Sequence, residues 1–352
     1  IAATGSSWIV AGPGGSNLIS QMTGLTRGTP YHWRCRLVYP AGNLLGLSFG
    51  PWIGFGPNGR NETDFRTHPY EGMPPNDFTG DGISSLAVYA PLSGGWYALK
   101  PDGTGVLWGV PWGGPGWTPL AGDFDGDGIN DLTVYNQTQG LWYICKTSGS
   151  LILWGAQWGG PDMVPVPGDY DGDGIFELAV YHEASGTWYI RNVAGATLAW
   201  GISCGGPGMS PVGGDYNGDR KADLTVYNRT TGVWLSRTLA GAEICSGVAW
   251  GGAGMTPVRG DYDGDRTFDL AVYQEASGAW YISTVPGTIL AWGTNWGGAG
   301  LTPVSGDYDG DGIYDLAVYN EAVGQWFVHP LVGANILWAA HWGGPGMTPV
   351  TQ

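Results

Sequence analysis

The sequence predicts an all-β fold, a six-bladed β-propeller, on three observations. A unit of 46 residues repeats six times without insertion or deletion. Each unit holds four short apolar runs rich in Val, Tyr and Trp, bounded by Gly and Asn, which are strand signals. No stretch carries a helical period. Asp77, Asp123, Asp169, Asp215, Asp261 and Asp307 mark the register, and six units counted from residue 77 end at residue 352. Four strands per ~40–50-residue repeat is the arithmetic of a propeller blade, which must stack on its neighbours to cover both faces.

The elements follow in chain order. Residues 1–70 read as a small N-terminal partial β-sandwich with a linker, and 71–352 as the propeller. In the unit from Gly306 to Val350, the Thr-Pro-Val segment before the acidic loop is the first strand and Asp-Leu-Ala-Val-Tyr the second. The segment around Gln-Trp-Phe-Val is the third strand, and Asn-Ile-Leu-Trp-Ala the fourth. Gly-rich turns such as Glu183-Ala184-Ser185-Gly186 join strands. The first unit has a poor first strand, Met73-Pro74-Pro75-Asn76, whereas the chain end carries a spare copy, Met347-Thr348-Pro349-Val350. The terminal strand is therefore expected to complete the first blade and close a ring of six. The alternative is a seven-bladed ring whose last blade comes from other residues.

Only 12% of the residues are charged, and the net charge is −16, which argues against a nucleic-acid partner. No run of about 18 apolar residues exists, so no membrane span is expected in this chain. No signal peptide is visible, and residue 1 is Ile, which reads as a processed, trimmed or partial chain. Of the 30 Asp and Glu residues, 21 fall inside one recurring nine-residue loop. Charge clustered in this way calls for a counter-ion.

The loop at 123–131 reads Asp-Phe-Asp-Gly-Asp-Gly-Ile-Asn-Asp, with carboxylates at positions 1, 3, 5 and 9. Alternate residues of a tight loop can converge on one point. Four converging carboxylates repel unless a hard divalent cation sits among them, and Ca²⁺ suits six to eight oxygen ligands better than Mg²⁺ does. No soft ligand is present, which argues against Zn²⁺. The carbonyl of position 7 is expected as a fifth ligand. The complete sets are Asp123, Asp125, Asp127, Ile129 and Asp131; Asp261, Asp263, Asp265, Thr267 and Asp269; and Asp307, Asp309, Asp311, Ile313 and Asp315. The third unit offers Asp169, Asp171, Asp173, Ile175 and Glu177, with a longer arm at position 9. The fourth offers Asp215, Asn217, Asp219, Lys221 and Asp223, and has Arg220 where Gly is usual; the fifth has Arg266 there. The first keeps only Asp77, Thr79 and Asp81, with Ser85 at position 9. About five Ca²⁺ sites are expected, with a sixth weak or empty. An EF-hand is rejected, because it needs flanking helices and a Glu at position 12, where the second unit has Val134.

Units with D-x-D-G-D-G-x-x-D followed by Leu-Ala-Val-Tyr resemble the FG-GAP/VCBS repeats of integrin α-subunit propellers and of many secreted bacterial proteins. The resemblance covers 77–352. It implies calcium at the loop between the first two strands of each blade and an extracellular setting, secreted or cell surface. Integrin propellers have seven blades, which keeps the alternative count open. A fungal lectin with such a propeller binds sugars, so the resemblance permits a lectin. Leu25 to Arg36, Leu-Thr-Arg-Gly-Thr-Pro-Tyr-His-Trp-Arg-Cys-Arg, resembles the late strands of a fibronectin type III domain. The early strands are missing, so they were removed or are supplied by another chain.

Of the 20 Trp residues, 16 occupy three repeat positions. The third-strand set (Trp96, Trp142, Trp188, Trp234, Trp280, Trp326) and the fourth-strand set (Trp108, Trp154, Trp200, Trp292, Trp338) are expected in the blade-packing core. Trp112, Trp158, Trp250, Trp296 and Trp342 precede Gly-Gly in a loop. They read either as ligand-binding platforms for sugar stacking or as wedges between blades. Cys204 and Cys245 lie in neighbouring repeats and read either as a disulfide or as buried thiols. His32, His68, His182, His329 and His341 share no repeat position, and no catalytic motif appears. The expected function is accordingly non-enzymatic. It is adhesion or extracellular assembly, a filament subunit included, with a protein or glycan at the cell surface, or copies of itself, as partner. A multivalent lectin is the first alternative and a polysaccharide-active enzyme, a lyase or hydrolase, the second.

Overall fold

The computed structural model describes residues 74–285 and 287–351, and in the N-terminal region the backbone of four short strands. Contacts divide the chain into two compact units, Ile1–Pro69 and Tyr70–Gln352. In the first unit, Pro30–Tyr31 pairs antiparallel with Phe65–Arg66, and Arg34–Val38 with Phe49–Gly54. The remainder of the fibronectin-like motif, Met73, His32 and His68, and the side chain of Cys35, lie outside the described residues.

The second unit is a six-bladed β-propeller. Among the described residues there are six four-stranded antiparallel sheets and no helix. Blade 2 shows the plan: Thr118–Gly122, Asp131–Asn136, Leu141–Cys145 and Leu151–Gln157 pair in chain order. Blades 3 to 6 repeat it from Met163–Pro165 to Leu337–His341. Blade 1 takes its first strand from the chain end. Thr348 pairs with Tyr89 and Pro349 with Val88, the Val350 N–H donates to the Ala87 carbonyl, and the Asn76 side-chain amide donates to the Val350 carbonyl. The ring therefore closes at six.

Closure is visible in the packing too. Each apolar cluster joins two neighbouring blades, and the series runs round without a gap: Leu86 and Val88 of blade 1 pack with Tyr319 and Trp326 of blade 6. The second strands, such as Leu178–His182, are buried along their length because both faces meet a neighbouring sheet. All six third-strand tryptophans are fully buried. Burying an indole N–H costs free energy unless it is bonded. Each one donates across its own blade to the carbonyl 16 residues on, as Trp142 Nε1 does to Trp158 O at 2.8 Å. Losing such an anchor would cost about 3–5 kcal/mol.

Between the second and third strands the chain turns on a glycine with positive φ. At Gly140 (φ +67°) a Cβ would stand 2.5 Å from the Gly159 carbonyl oxygen, so the position has no room for a side chain.

The fourth-strand tryptophans differ from expectation. Trp108, Trp154, Trp200, Trp292 and Trp338 are 67–77% exposed. The fourth strand is the outer strand of every sheet, so its residues meet a neighbouring blade only in part. The described cysteines Cys145, Cys204 and Cys245 are buried free thiols.

Candidate metal centres and the tryptophan rim

Each acidic loop bridges the first two strands of its blade, and its position-1 aspartate organises the bend. In blade 2, Asp123 Oδ1 accepts from Gly126 N at 2.7 Å and Oδ2 from Gly128 N at 2.8 Å. The same bond to the position-6 N–H recurs in all six loops at 2.7–2.9 Å. Arg220 (φ +72°) and Arg266 (φ +75°) hold the left-handed backbone that glycine adopts in the other loops. A non-glycine residue there carries strain of order 1 kcal/mol, so the loop geometry overrides local preference.

Four loops bring three carboxylates together with oxygens within 4.8 Å of one another: Asp123/Asp125/Asp127, Asp169/Asp171/Glu177, Asp261/Asp263/Asp265 and Asp307/Asp309/Asp311. Such sets can hold a metal ion. Position 9 joins such a set only in blade 3, as Glu177; Asp131, Asp269 and Asp315 stand outside the sets of their loops, and the fourth loop, Asp215 to Asp223, gathers no set of three. The position-9 carboxylates are nonetheless 0–2% exposed in blades 2 to 6. One oxygen of each accepts the position-2 N–H, as Glu177 Oε2 does from Tyr170 at 2.7 Å. The other has no protein partner in two loops, at Glu177 Oε1 and Asp223 Oδ1. A buried, unpaired carboxylate oxygen is costly, and a cation in the loop would relieve it.

The electrostatics agree. Burial, reinforced by the neighbouring carboxylates, pushes Asp131, Glu177, Asp269 and Asp315 up to about 8. Burial pushes Asp223 and Asp307 up to about 7. Ionising these groups without a counter-charge opposes the fold.

The loops are also linked to one another, a feature that the sequence reading did not include. The carbonyl of each position-1 aspartate accepts the position-8 N–H of the next loop. Asn130 N donates to Asp77 O, Phe176 to Asp123, Ala222 to Asp169, Phe268 to Asp215, Tyr314 to Asp261 and Ser84 to Asp307, at 2.6–2.8 Å. This makes an unbroken hydrogen-bonded circle of six. Position 7 adds a side-chain contact: a Cβ on Gly126 would meet Ile175 at 3.1 Å and one on Gly310 would meet Ile83 at 2.9 Å. No bonding signature in the sequence marks these main-chain links.

The tryptophans before Gly-Gly sit between blades. Trp112, Trp158, Trp250 and Trp296 donate from Nε1 to third-strand carbonyls of the next blade, at 3.2–3.4 Å. They also pack edge-on against the next blade's exposed tryptophan, as Trp112 does on Trp154 (6.0 Å, 65°) and Trp158 on Trp200 (5.7 Å, 66°). Trp342 meets Trp108 across the closure seam at 5.5 Å. The exposed indole is braced a second time by the third-strand aromatic, as Trp154 is by Tyr143 at 5.0 Å. The rim thus presents five fixed aromatic surfaces. In blade 4 the corresponding residue is Ser246 and the preceding wedge is Cys204.

No family model matches the chain, and no curated protein does. Three of the solved structures that align with it do so at TM-scores below 0.5. A BBS1N–ARL6DN complex aligns at TM-score 0.44 and 18% identity over 73% of this chain and 78% of that one. An Agrocybe aegerita lectin that recognises non-reducing terminal N-acetylglucosamine aligns at 0.47 and 16% over 72% and 74%. Virginiamycin B lyase from Staphylococcus aureus aligns at 0.42 and 12% over 67% and 74%. The last corrects one expectation. The expectation of a non-enzymatic chain is withdrawn, because the aligned propellers include an enzyme and one fold hosts both kinds of function. No described helix is long and apolar enough to cross a membrane.

Proposed function

We propose that the ring is a calcium-stabilised extracellular β-propeller of the FG-GAP/VCBS type, serving adhesion or assembly at a cell surface. The observation that carries the reading is the buried position-9 carboxylate with its unpartnered oxygen, at Glu177 and Asp223. Donors that are all oxygen and number four or five per loop suit Ca²⁺. Bound calcium fixes a loop whose main chain is bonded to both neighbouring loops, so occupancy stiffens the whole ring rather than single blades. A stiff ring then presents its tryptophan rim as a repeated contact surface for a protein, a glycan or further copies of the chain.

A multivalent lectin is the second reading, favoured by the double bracing of each exposed indole. A fixed aromatic face suits sugar stacking, and five copies would give avidity. The test is binding of the full chain to a glycan array and to itself, by sedimentation, in calcium and in chelator. Calcium-dependent self-association or glycan capture supports the proposal. Behaviour identical in calcium and chelator, with neither partner bound, overturns it.

A further inference from the structure

In blades 1 and 2 a lysine from the third strand is ion-paired with carboxylates of the acidic loop. Lys100 Nζ lies 2.5 Å from Asp81 Oδ2 in blade 1. In blade 2, Lys146 Nζ bridges Asp125 and Asp127, 2.9 Å from the latter and closer still to the former. The two lysines hold the same repeat position, at the end of the third strand. Blades 3 to 6 have Asn192, Thr238, Thr284 and Pro330 there. Lys221, the other lysine near a loop, reaches the main-chain carbonyl of Asp171 and no carboxylate.

The two occupied loops differ in what the lysine must balance. Blade 1 has only two loop carboxylates, Asp77, whose oxygens hold loop N–H groups as the position-1 aspartate does in every loop, and Asp81, which Lys100 meets. One ammonium leaves little charge for a metal to neutralise. Blade 2 has four carboxylates, so a single ammonium is an incomplete substitute for a divalent ion. The ammonium and a metal cannot both occupy the space between Asp125 and Asp127. The two blades are neighbours, joined by the Asn130 N–H to Asp77 O bond, and blade 1 contains the closure seam.

We propose that Lys100 and Lys146 are built-in cations: blade 1 is held by lysine in place of a metal, and metal binding in blade 2 is weakened because metal must displace Lys146. This rests on the metal reading given above. The sector around the closure seam then stays ordered when the other loops are empty.

Calcium titration calorimetry on the full chain, with melting in chelator, tests this. The variants are Lys146→Thr and Lys100→Thr, threonine being native to the position in blades 4 and 5, with Lys146→Arg as the charge-keeping control. Lys146→Thr should tighten one site by about three- to tenfold, the worth of two half-exposed ion pairs. It should also lower melting in chelator, and calcium should restore it. Lys100→Thr should lower melting in chelator without adding a site, and Lys146→Arg should keep the chelator melting point. Unchanged affinity and unchanged chelator melting in Lys146→Thr overturn the proposal. A wild-type chain that takes up no calcium overturns the metal reading itself; melting in chelator then decides the lysine role alone.

Discussion

Glu177→Gln should change the sign of its effect with metal. Glu177 is 0% exposed, one oxygen holds the Tyr170 N–H, and the other faces the loop without a partner. Gln fits the same volume and keeps the first bond through its carbonyl. In chelator the substitution removes a carboxylate whose ionisation the fold opposes, and should stabilise the ring by about 1–3 kcal/mol at pH 8. In calcium it removes one anionic ligand from the third loop. A site held at a hundredfold excess over its dissociation constant contributes about 2.7 kcal/mol by linkage, and weakening it should forfeit most of that. Guanidinium unfolding followed by tryptophan fluorescence, in chelator and in calcium, gives both numbers. Crossing of the two curves is the expected result. A Glu177→Gln chain less stable than wild type by the same amount in both media would refute the reasoning, because the carboxylate would then have a role unconnected with metal.

Three further outcomes follow. Without metal, Asp131, Glu177, Asp269 and Asp315 sit at about 8, above their ordinary values of 3.8 and 4.5, so the fold holds protons that the unfolded chain has released. Their contribution is full below about pH 4 and is lost as pH rises to 8, so melting in chelator should fall across that window, while calcium affinity, which requires ionised ligands, should rise. Val350→Ala should cost about 2 kcal/mol by denaturant unfolding, because Val350 is fully buried at the closure seam, whereas Val332→Ala at an 88% exposed turn should be neutral. Gly140→Ala should cost at least about 2 kcal/mol, since a Cβ would stand 2.5 Å from the Gly159 oxygen on a left-handed backbone.

Much of the ring can be read directly from the residues. The unbroken period gives the repeat and its strand order, and the surplus Met347-Thr348-Pro349-Val350 beside the defective Pro74-Pro75 favours six blades over seven, a count that the pairing of Thr348 with Tyr89 settles. The loop aspartates are legible because alternation in a tight bend is itself geometry. Other features depend on which sheet faces which. Trp154 and Trp142 are both tryptophans in strands, and only the position of Trp154 on the outer strand makes it 67% exposed. Lys146 lies 19 residues beyond Asp127 with no motif between them, and their meeting depends on a strand returning past the loop. The circle of loop-to-loop bonds uses main-chain groups, which every residue at those positions possesses. A missing motif does not exclude catalysis, because a repeated scaffold can carry one site that breaks the repeat.

Metal content and melting of the same purified chain test the central claim most directly. After gel filtration in calcium-containing, then calcium-free buffer, elemental analysis should find four to five calcium ions per chain, with the blade-2 site weakened by Lys146. Chelator should lower the melting temperature in a single cooperative step. A chain that retains no oxygen-bound metal and melts at the same temperature in calcium and in chelator would contradict the account.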